Sequence, residues 1–264
     1  MLLIPIQDRS RLAAYLQRDL PLFLYSLGDL DDFFYPNTRW YGWQANEALQ
    51  AVILRYTAAE PEVLLALAPE ADRPALKELL RQLRRQLPLV FYAHLSPGME
   101  STLRPLYQLQ GHGLHWKMQL ENPALLPPGP FPQVAQLERA DDARLRELYD
   151  RHYPDHAYDP RMLSTGQYFG IWAGNRLVCA AGVHVYSPAY GVAALGNVVT
   201  HHQHRGRGLA RQTVTLLCRS LLQHVQHIVL NVKADNQSAI RLYQSLGFVK
   251  KAEYYEYTAS RSIL

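Results

Sequence analysis

Residues Val198-Val199-Thr200-His201-His202-Gln203-His204-Arg205-Gly206-Arg207-Gly208-Leu209-Ala210 constrain this chain more than any other stretch. β-Branched residues close a strand, a short polar turn follows, and two glycines flank an arginine where an apolar-periodic segment begins. A loop of this composition aims several backbone N–H groups at one point, where the N-terminus of the next helix adds partial positive charge. The glycines let the backbone approach an anion closely, and Arg205 and Arg207 supply charge-assisted donors. The ligand that suits this construction is a pyrophosphate.

A dinucleotide-binding fold needs G-x-G-x-x-G or G-x-G-x-x-A, whereas Gly206-Arg207-Gly208-Leu209-Ala210-Arg211 puts arginine at the last position. A P-loop needs a Gly-Lys-Ser/Thr ending, and none follows. Arg205-Gly206-Arg207-Gly208-Leu209-Ala210 instead resembles the R-x-x-G-x-A loop of the GNAT superfamily, the acetyl-CoA-dependent N-acetyltransferases. A second block, Asn236-Gln237-Ser238-Ala239-Ile240-Arg241-Leu242-Tyr243-Gln244-Ser245-Leu246-Gly247-Phe248, is similar to the N-x-x-A-x-x-x-Y-x-x-x-G-F segment that ends the same fold. The two blocks stand in the family's order, Gly208 and Asn236 being 28 residues apart.

The resemblance implies an α/β (mixed-sheet) acyl-CoA N-acyltransferase fold in the second half of the chain. It implies acetyl-CoA as co-substrate, no metal, and direct transfer of the acyl group to a small-molecule or peptide amine. Val198, Val199 and Thr200 would then bond the pantetheine arm through their backbone. Arg205, Gly206, Arg207, Gly208, Leu209 and Ala210 would hold the pyrophosphate. Asn231, Asn236 and Ala239 would contact the cofactor further along, and Tyr243 would protonate the leaving thiolate. Read without the family, Val198–Thr200 are ordinary strand residues and Asn236 is an N-cap. Tyr243 lies on an apolar helix face with Ala239 and Leu246, so it is also a core tyrosine.

No general base is legible. His152, His156, His184 and Tyr186 are candidates to line a cleft, as is Asn197, which cannot act as a base but can hold a water. His201, His202 and His204 invite a metal reading, but they occupy what the family uses as an ordinary turn. His152-Tyr153-Pro154-Asp155-His156 is not H-E-x-x-H, and Pro154 breaks the helix that motif requires.

Composition bounds the rest. With 264 residues, 48% of them hydrophobic and 19% charged, the chain suits one or two packed domains. The net charge of +4 is unevenly spread: from residue 201 onward there are nine Lys/Arg against three Asp/Glu. A polyanionic small molecule such as coenzyme A explains that bias. RNA is the competing explanation, but no basic run interleaves with aromatics, so a nucleic-acid partner is not expected. Cys179 and Cys218 sit in apolar surroundings, the pattern of reduced thiols rather than a disulfide framework. Met1–Asp8 has no basic n-region and no apolar run is long enough to span a bilayer, so a cytoplasmic protein without a membrane partner is expected.

Residues 121–132 hold five prolines and a glycine in twelve positions and read as a linker. It separates residues 1–120 from a transferase domain over residues 133–264. In the latter, the spacing predicts helices over 141–153, 208–225 and 236–246. Strands are predicted over 168–173, 177–186, 192–200, 228–233 and 248–258, the first two joined by a hairpin at Gly174-Asn175. The first half reads as helices over 11–18 and 75–87 and strands over 48–56, 63–68, 89–93 and 114–120. This order resembles the N-terminal domains of two-domain GNAT proteins, including the glycine N-acyltransferase-like group, but without a cofactor loop. Such a half would shape the acceptor side. The competing functions are transfer of a longer acyl chain and a catalytically silent acyl-CoA sensor.

Overall fold

The computed structural model describes residues 2–45, 48–154 and 156–261; Asp155, in the loop singled out above, lies outside the described residues. In chain order the elements are β1 (Leu2–Pro5), α1 (Arg9–Leu16), α2 (Leu20–Gly28), β2 (Thr38–Ala45), β3 (Ala48–Tyr56), β4 (Val63–Ala66), α3 (Arg73–Leu83), β5 (Val90–Leu95), α4 (Glu100–Leu103) and β6 (Tyr107–Leu120). They continue as β7 (Val134–Gln136), α5 (Asp142–His152), β8 (Phe169–Ala173), β9 (Arg176–Ser187), β10 (Val192–Thr200), α6 (Leu209–Leu221), β11 (His227–Lys233), α7 (Gln237–Ser245) and β12 (Phe248–Arg261). Contacts group these into two compact units. One holds the residues up to Lys117 with Val232–Asn236 and the residues from Lys251 on; the other holds Met118–Asn231 and Gln237–Lys250. The end of the chain therefore returns to the first unit.

In the first unit the strands run in the order β1-β2-β3-β4-β5-β12-β6. β4 and β5 are parallel, Val63 facing Tyr92 and Ala66 facing Leu95, while β12 joins β5 antiparallel from Tyr255–Leu95 to Ser260–Val90. Leu76, Leu79, Leu80 and Leu83 line one face of α3 at helical spacing and pack with Ala51, Ile53, Leu64 and Phe91. Asp8 caps α1 by accepting the Arg11 N–H, and Asp19 caps α2 by accepting that of Leu22.

The helix α2 and the strands β1 and β2 lie outside the elements expected from the sequence. α2 is buried on nearly every side (Leu22, Phe23, Leu24, Ser26, Leu27, Gly28), so it shows no amphipathic period to read. β6 begins at Tyr107 rather than Leu114 because Gly111 and Gly113 interrupt the pattern without ending the strand.

This unit also buries charge. Lys117 is 1% exposed, with its Nζ 4.6 Å from the Tyr25 ring centre and 5.0 Å from that of Tyr254. Burial pulls the Lys117 ammonium down to about 7, against the pull of Glu256, Asp19 and Asp29. Burial likewise pushes Asp29 up to about 8, against Lys117. Burial would raise Glu256 too. His94 Nε2 at 3.5 Å, His115 Nε2 at 3.3 Å and the hydroxyls of Tyr92 and Tyr254 outweigh it and hold Glu256 below the usual carboxylate range.

In the second unit the order is β11-β10-β9-β8-β7, with β10 parallel to β11 and the other pairs antiparallel. The β8–β9 hairpin turns at Gly174, as its sequence predicts. α6 packs on β8, β9 and β10, and α5 on β9 and β10. Val214, Leu217, Cys218 and Leu221 form the buried stripe of α6. The helix ends at Leu221 rather than Val225, and Leu222 is already exposed. Both cysteines are buried free thiols. The result is a mixed α/β fold.

Candidate active site

The Gly-rich loop forms the N-terminus of α6. Gly206 and Gly208 have φ of 76° and 74°, a region side-chain-bearing residues avoid. Gly208 is the N-cap, no side chain caps the helix, and its first intrahelical bond runs from Gln212 N–H to the Gly208 carbonyl. The N–H groups of Leu209, Ala210 and Arg211 precede that bond and have no intrahelical acceptor. A Cβ built on either glycine meets nothing within 4 Å, so the space before these donors is open. Arg205 turns back, its Nε donating to the Thr200 carbonyl at 3.3 Å, while Arg207 is exposed. These residues fit a pyrophosphate: open N–H donors, two arginines, and no acidic side chain in the loop.

β10 leads into that loop. It pairs with β11 only from Val192–His227 to Leu195–Leu230. Beyond Leu195 its ladder continues with β9 alone and is interrupted between Gly196 and Val199. At the interruption Asn197 has φ +53°, the only positive value at a non-glycine residue among the described residues. Val198 and Thr200 are half-buried and Val199 belongs to the core. Thr200 Oγ1 lies 3.3 Å from Cys179 Sγ, and its carbonyl is taken by Arg205.

Three side chains hold the bulge. The Tyr149 hydroxyl donates to the Asn197 carbonyl at 2.9 Å, and the Tyr168 hydroxyl donates to the Val183 carbonyl at 3.0 Å. A carbonyl only accepts, so the Tyr168 oxygen must accept from Asn197 Nδ2, 3.2 Å away. That fixes the amide, and Asn197 Oδ1 is left buried without a partner. Asn197 is 3% exposed, so an unfilled acceptor there costs free energy unless something donates to it. Tyr168 fits because Gly182 has no side chain: a Cβ there would sit 2.2 Å from the tyrosine ring. Burial raises the phenols of Tyr149 and Tyr168 and keeps both protonated as donors.

Tyr243 lies on the buried face of α7 with Ile240, its ring edge-on to Phe248 at 5.8 Å. Its hydroxyl has no hydrogen-bond partner among the described residues and is not among the sealed, unsatisfied atoms. Burial raises this phenol above its ordinary value, so it holds its proton at neutral pH. Asn231 lies on β11 one residue beyond the last pair with β10. Ala239 is half-buried in the first turn of α7, and the exposed Asn236 precedes that helix with its N–H bonded to the Lys233 carbonyl.

The histidines divide. His184 lies over Gly196, where a Cβ would fall 1.8 Å from its ring. His156 pairs with Asp150 at 3.2 Å. His152, the last residue of α5, meets His201 and His202: ring centres are 4.1 Å apart for His152–His201 and 4.7 Å for His201–His202. Burial and then the neighbouring imidazoles and arginines lower His152 and His201. The turn at 201–204 is thus more than an ordinary turn.

Two tyrosines of this site, Tyr149 and Tyr168, were not singled out from the sequence. A signal existed: Gly196-Asn197 inside a β-branched run marks a bulge, since asparagine tolerates positive φ. The partners of a bulge carry no local signature.

Residues 132–248 match the acetyltransferase (GNAT) family. Among solved structures, the chain is similar to a GNAT-family acetyltransferase from Colwellia psychrerythraea (14% identity, 98% of this chain and 100% of that one, TM-score 0.59). It is also similar to a GCN5-related N-acetyltransferase from Sphaerobacter thermophilus (13%, 99% and 97%, TM-score 0.60). A third is a tandem GNAT protein from the clavulanic acid biosynthesis pathway (13%, 98% of both chains, TM-score 0.54). At these identities the likeness is one of fold. No curated protein sequence matches the chain. The chain carries a GNAT acetyltransferase domain, the acyl-transferring domain of a transferase enzyme. No helix among the described residues is long and apolar enough to cross a membrane.

Proposed function

We propose that this transferase moves an acetyl group from acetyl-CoA to the amine of a small molecule or peptide. The observation that carries the reading is the end of the β10–β11 pairing at Leu195, followed at once by a braced bulge and the open N-terminus of α6. A thioester arm needs unpaired strand backbone, and its pyrophosphate needs the helix start. Val198, Val199 and Thr200 supply the former through their backbone, and Arg205 to Ala210 the latter. The Thr200 carbonyl must first release Arg205, which frees that guanidinium for phosphate. Asn231, Asn236 and Ala239 contact the cofactor beyond the arm.

The amine nitrogen attacks the thioester carbonyl carbon, forming the C–N bond as the C–S bond breaks. Tyr243 gives its proton to the departing sulfur, and its raised phenol is a donor rather than a phenolate before that moment. The surplus proton of the amine leaves to solvent, and the tyrosinate recovers one from there. Asn197 Oδ1, the buried acceptor without a partner, is sealed in the free chain; when the bulge opens to the acceptor it takes a hydrogen bond from an amine N–H and orients its lone pair. The transfer domain spans residues 133–264 after the linker 121–132. Residues 1–120 have no Gly-rich arginine loop, which supports one cofactor per chain. The length of the match to a tandem GNAT protein supports a two-domain organisation of the kind seen in the glycine N-acyltransferase-like group.

The test is free-thiol release from acetyl-CoA by the full chain with amines, amino acids, polyamines and peptides in turn. Calorimetry with coenzyme A accompanies it, on the parent and on Gly208→Glu. The variant places a carboxylate where the pyrophosphate must approach the backbone and should abolish binding with the circular dichroism spectrum unchanged. Equal affinity in both proteins refutes the loop assignment. Thioester consumed with no amine dependence refutes the transfer.

A further inference from the structure

The cluster of His152, His201 and His202 has no part in the transfer just described, and its geometry is unusual for a surface turn. Two of the three residues follow β10 and the third ends α5, so the sequence separates them by about fifty residues and the fold joins them. One ring nitrogen from each lies within 4.8 Å of the other two. His152 Nδ1 and His202 Nδ1 are 3.3 Å apart. Zinc–nitrogen bonds of about 2.0–2.1 Å at tetrahedral angles put two ligand nitrogens about 3.3–3.4 Å apart. The two nitrogens, joined here by an imidazole–imidazole hydrogen bond, thus stand at the separation of one edge of a metal tetrahedron, and a metal would replace the shared proton.

We propose that these three imidazoles form a binding site for a late first-row divalent cation, of the zinc, nickel or copper class. The donor set decides the class. Three imidazole nitrogens with no carboxylate or thiolate suit zinc, copper and nickel and offer little to magnesium or calcium, which take oxygen ligands. His202 is exposed and gives the ion its entry path, and His152 is half-buried beside it. His201 is 3% exposed and is the anchored member. Its Nδ1 now accepts the Gln203 N–H at 3.2 Å, so Nε2 carries the ring proton. To ligate through Nε2, that proton moves to Nδ1 and the Gln203 contact is given up. His201 is therefore the last ligand to engage, and water completes the four-coordinate shell. Arg176 and Arg205 act electrostatically on this cluster and oppose a dication. The site is accordingly expected to be weaker than a structural zinc site and exchangeable. Bound metal would tie the end of α5 to the turn three residues before Arg205, and so to the cofactor loop.

The test is calorimetric titration of the untagged, chelator-treated full chain with ZnCl2, NiCl2 and, as control, MgCl2. Cobalt(II) loading is followed in parallel through its visible tetrahedral absorption bands. One equivalent of zinc or nickel and none of magnesium is expected. His152→Ala and His202→Ala remove half-exposed and exposed side chains, so both should fold; each should weaken that equivalent at least about tenfold and abolish the cobalt bands. His224→Ala, an exposed histidine elsewhere in the unit, should leave both unchanged. No zinc or nickel binding in the parent, or binding and bands that survive both His152→Ala and His202→Ala, overturns the proposal. Neither outcome depends on coenzyme A binding, so the site and the transferase reading fail separately.

Discussion

Lys117→Met should stabilise the protein below neutral pH and do so less and less as the pH rises. Lys117 and Asp29 are both buried, and their protons decide what that burial costs. Asp29 is held up at about 8 in the fold against an ordinary 3.8, so the folded chain keeps a proton the unfolded chain has lost. Its contribution is fully present below about pH 4 and is lost as the pH climbs to about 8. Lys117 is held down at about 7 against an ordinary 10.5, so the unfolded chain binds the proton more tightly. Stability is therefore gained between about pH 7 and 10.5 as that proton leaves both states. The pair together gives stability a minimum near pH 7 to 8.

At pH 6 Asp29 is neutral and Lys117 is a buried cation. The displacement from 10.5 to about 7 corresponds to about 5 kcal/mol. Loss of the ammonium's contacts with Tyr25 and Tyr254 offsets about 1–2 kcal/mol of that. Methionine at 117 should thus raise stability at pH 6 by about 3 kcal/mol. Near pH 10 the lysine is already neutral in the fold and the gain should vanish. Removing one partner of a buried ion pair ordinarily destabilises by about 3–5 kcal/mol because a charge is stranded. Here Asp29 is already protonated, and Glu256 keeps His94, His115 and the Tyr92 and Tyr254 hydroxyls, so no charge is stranded and the sign reverses. Urea unfolding at pH 6 and pH 10, followed by tryptophan fluorescence, measures it; Trp40, Trp43 and Trp116 all lie in this unit. A variant destabilised at pH 6 would show that Lys117 is held by a charged pair with Glu256 or Asp29, and the reasoning would be wrong.

Three further outcomes concern the site. Tyr243→Phe keeps the ring against Phe248 and removes only the proton, so kcat should fall about ten- to a thousand-fold with coenzyme A affinity unchanged; unchanged turnover would leave Tyr243 a core residue. Asn197→Gly keeps the positive φ and the Tyr149 bond to the main chain but deletes Oδ1, so KM for the amine should rise while coenzyme A binds as before; an unchanged KM contradicts the orienting role. Gly182→Ala drives a methyl into the Tyr168 ring and should cost about 1–3 kcal/mol in thermal unfolding, together with amine turnover; full activity at normal stability would show that the tyrosine brace is dispensable.

The open loop at the start of α6, proposed above to hold a pyrophosphate, was legible because its backbone geometry is local. A helix start, two glycines and their arginines are neighbours in the chain, so Arg205 to Ala210 declare themselves in sequence, and the strands and helices around them follow the period of their apolar residues. α2 escaped notice because a helix buried on every side has no polar face to mark its period. What holds Asn197 is not local either. Tyr149 and Tyr168 come from an earlier helix and an earlier strand edge, and only the packing of α5 and β8 against β9 and β10 brings their hydroxyls to the bulge. The meeting of His152 with His201, and of Lys117 with Asp29, has the same origin. Local sequence determined where backbone donors stand open at the start of a helix. Tertiary structure decided which side chains lost water together, and so which protons and lone pairs are left for chemistry.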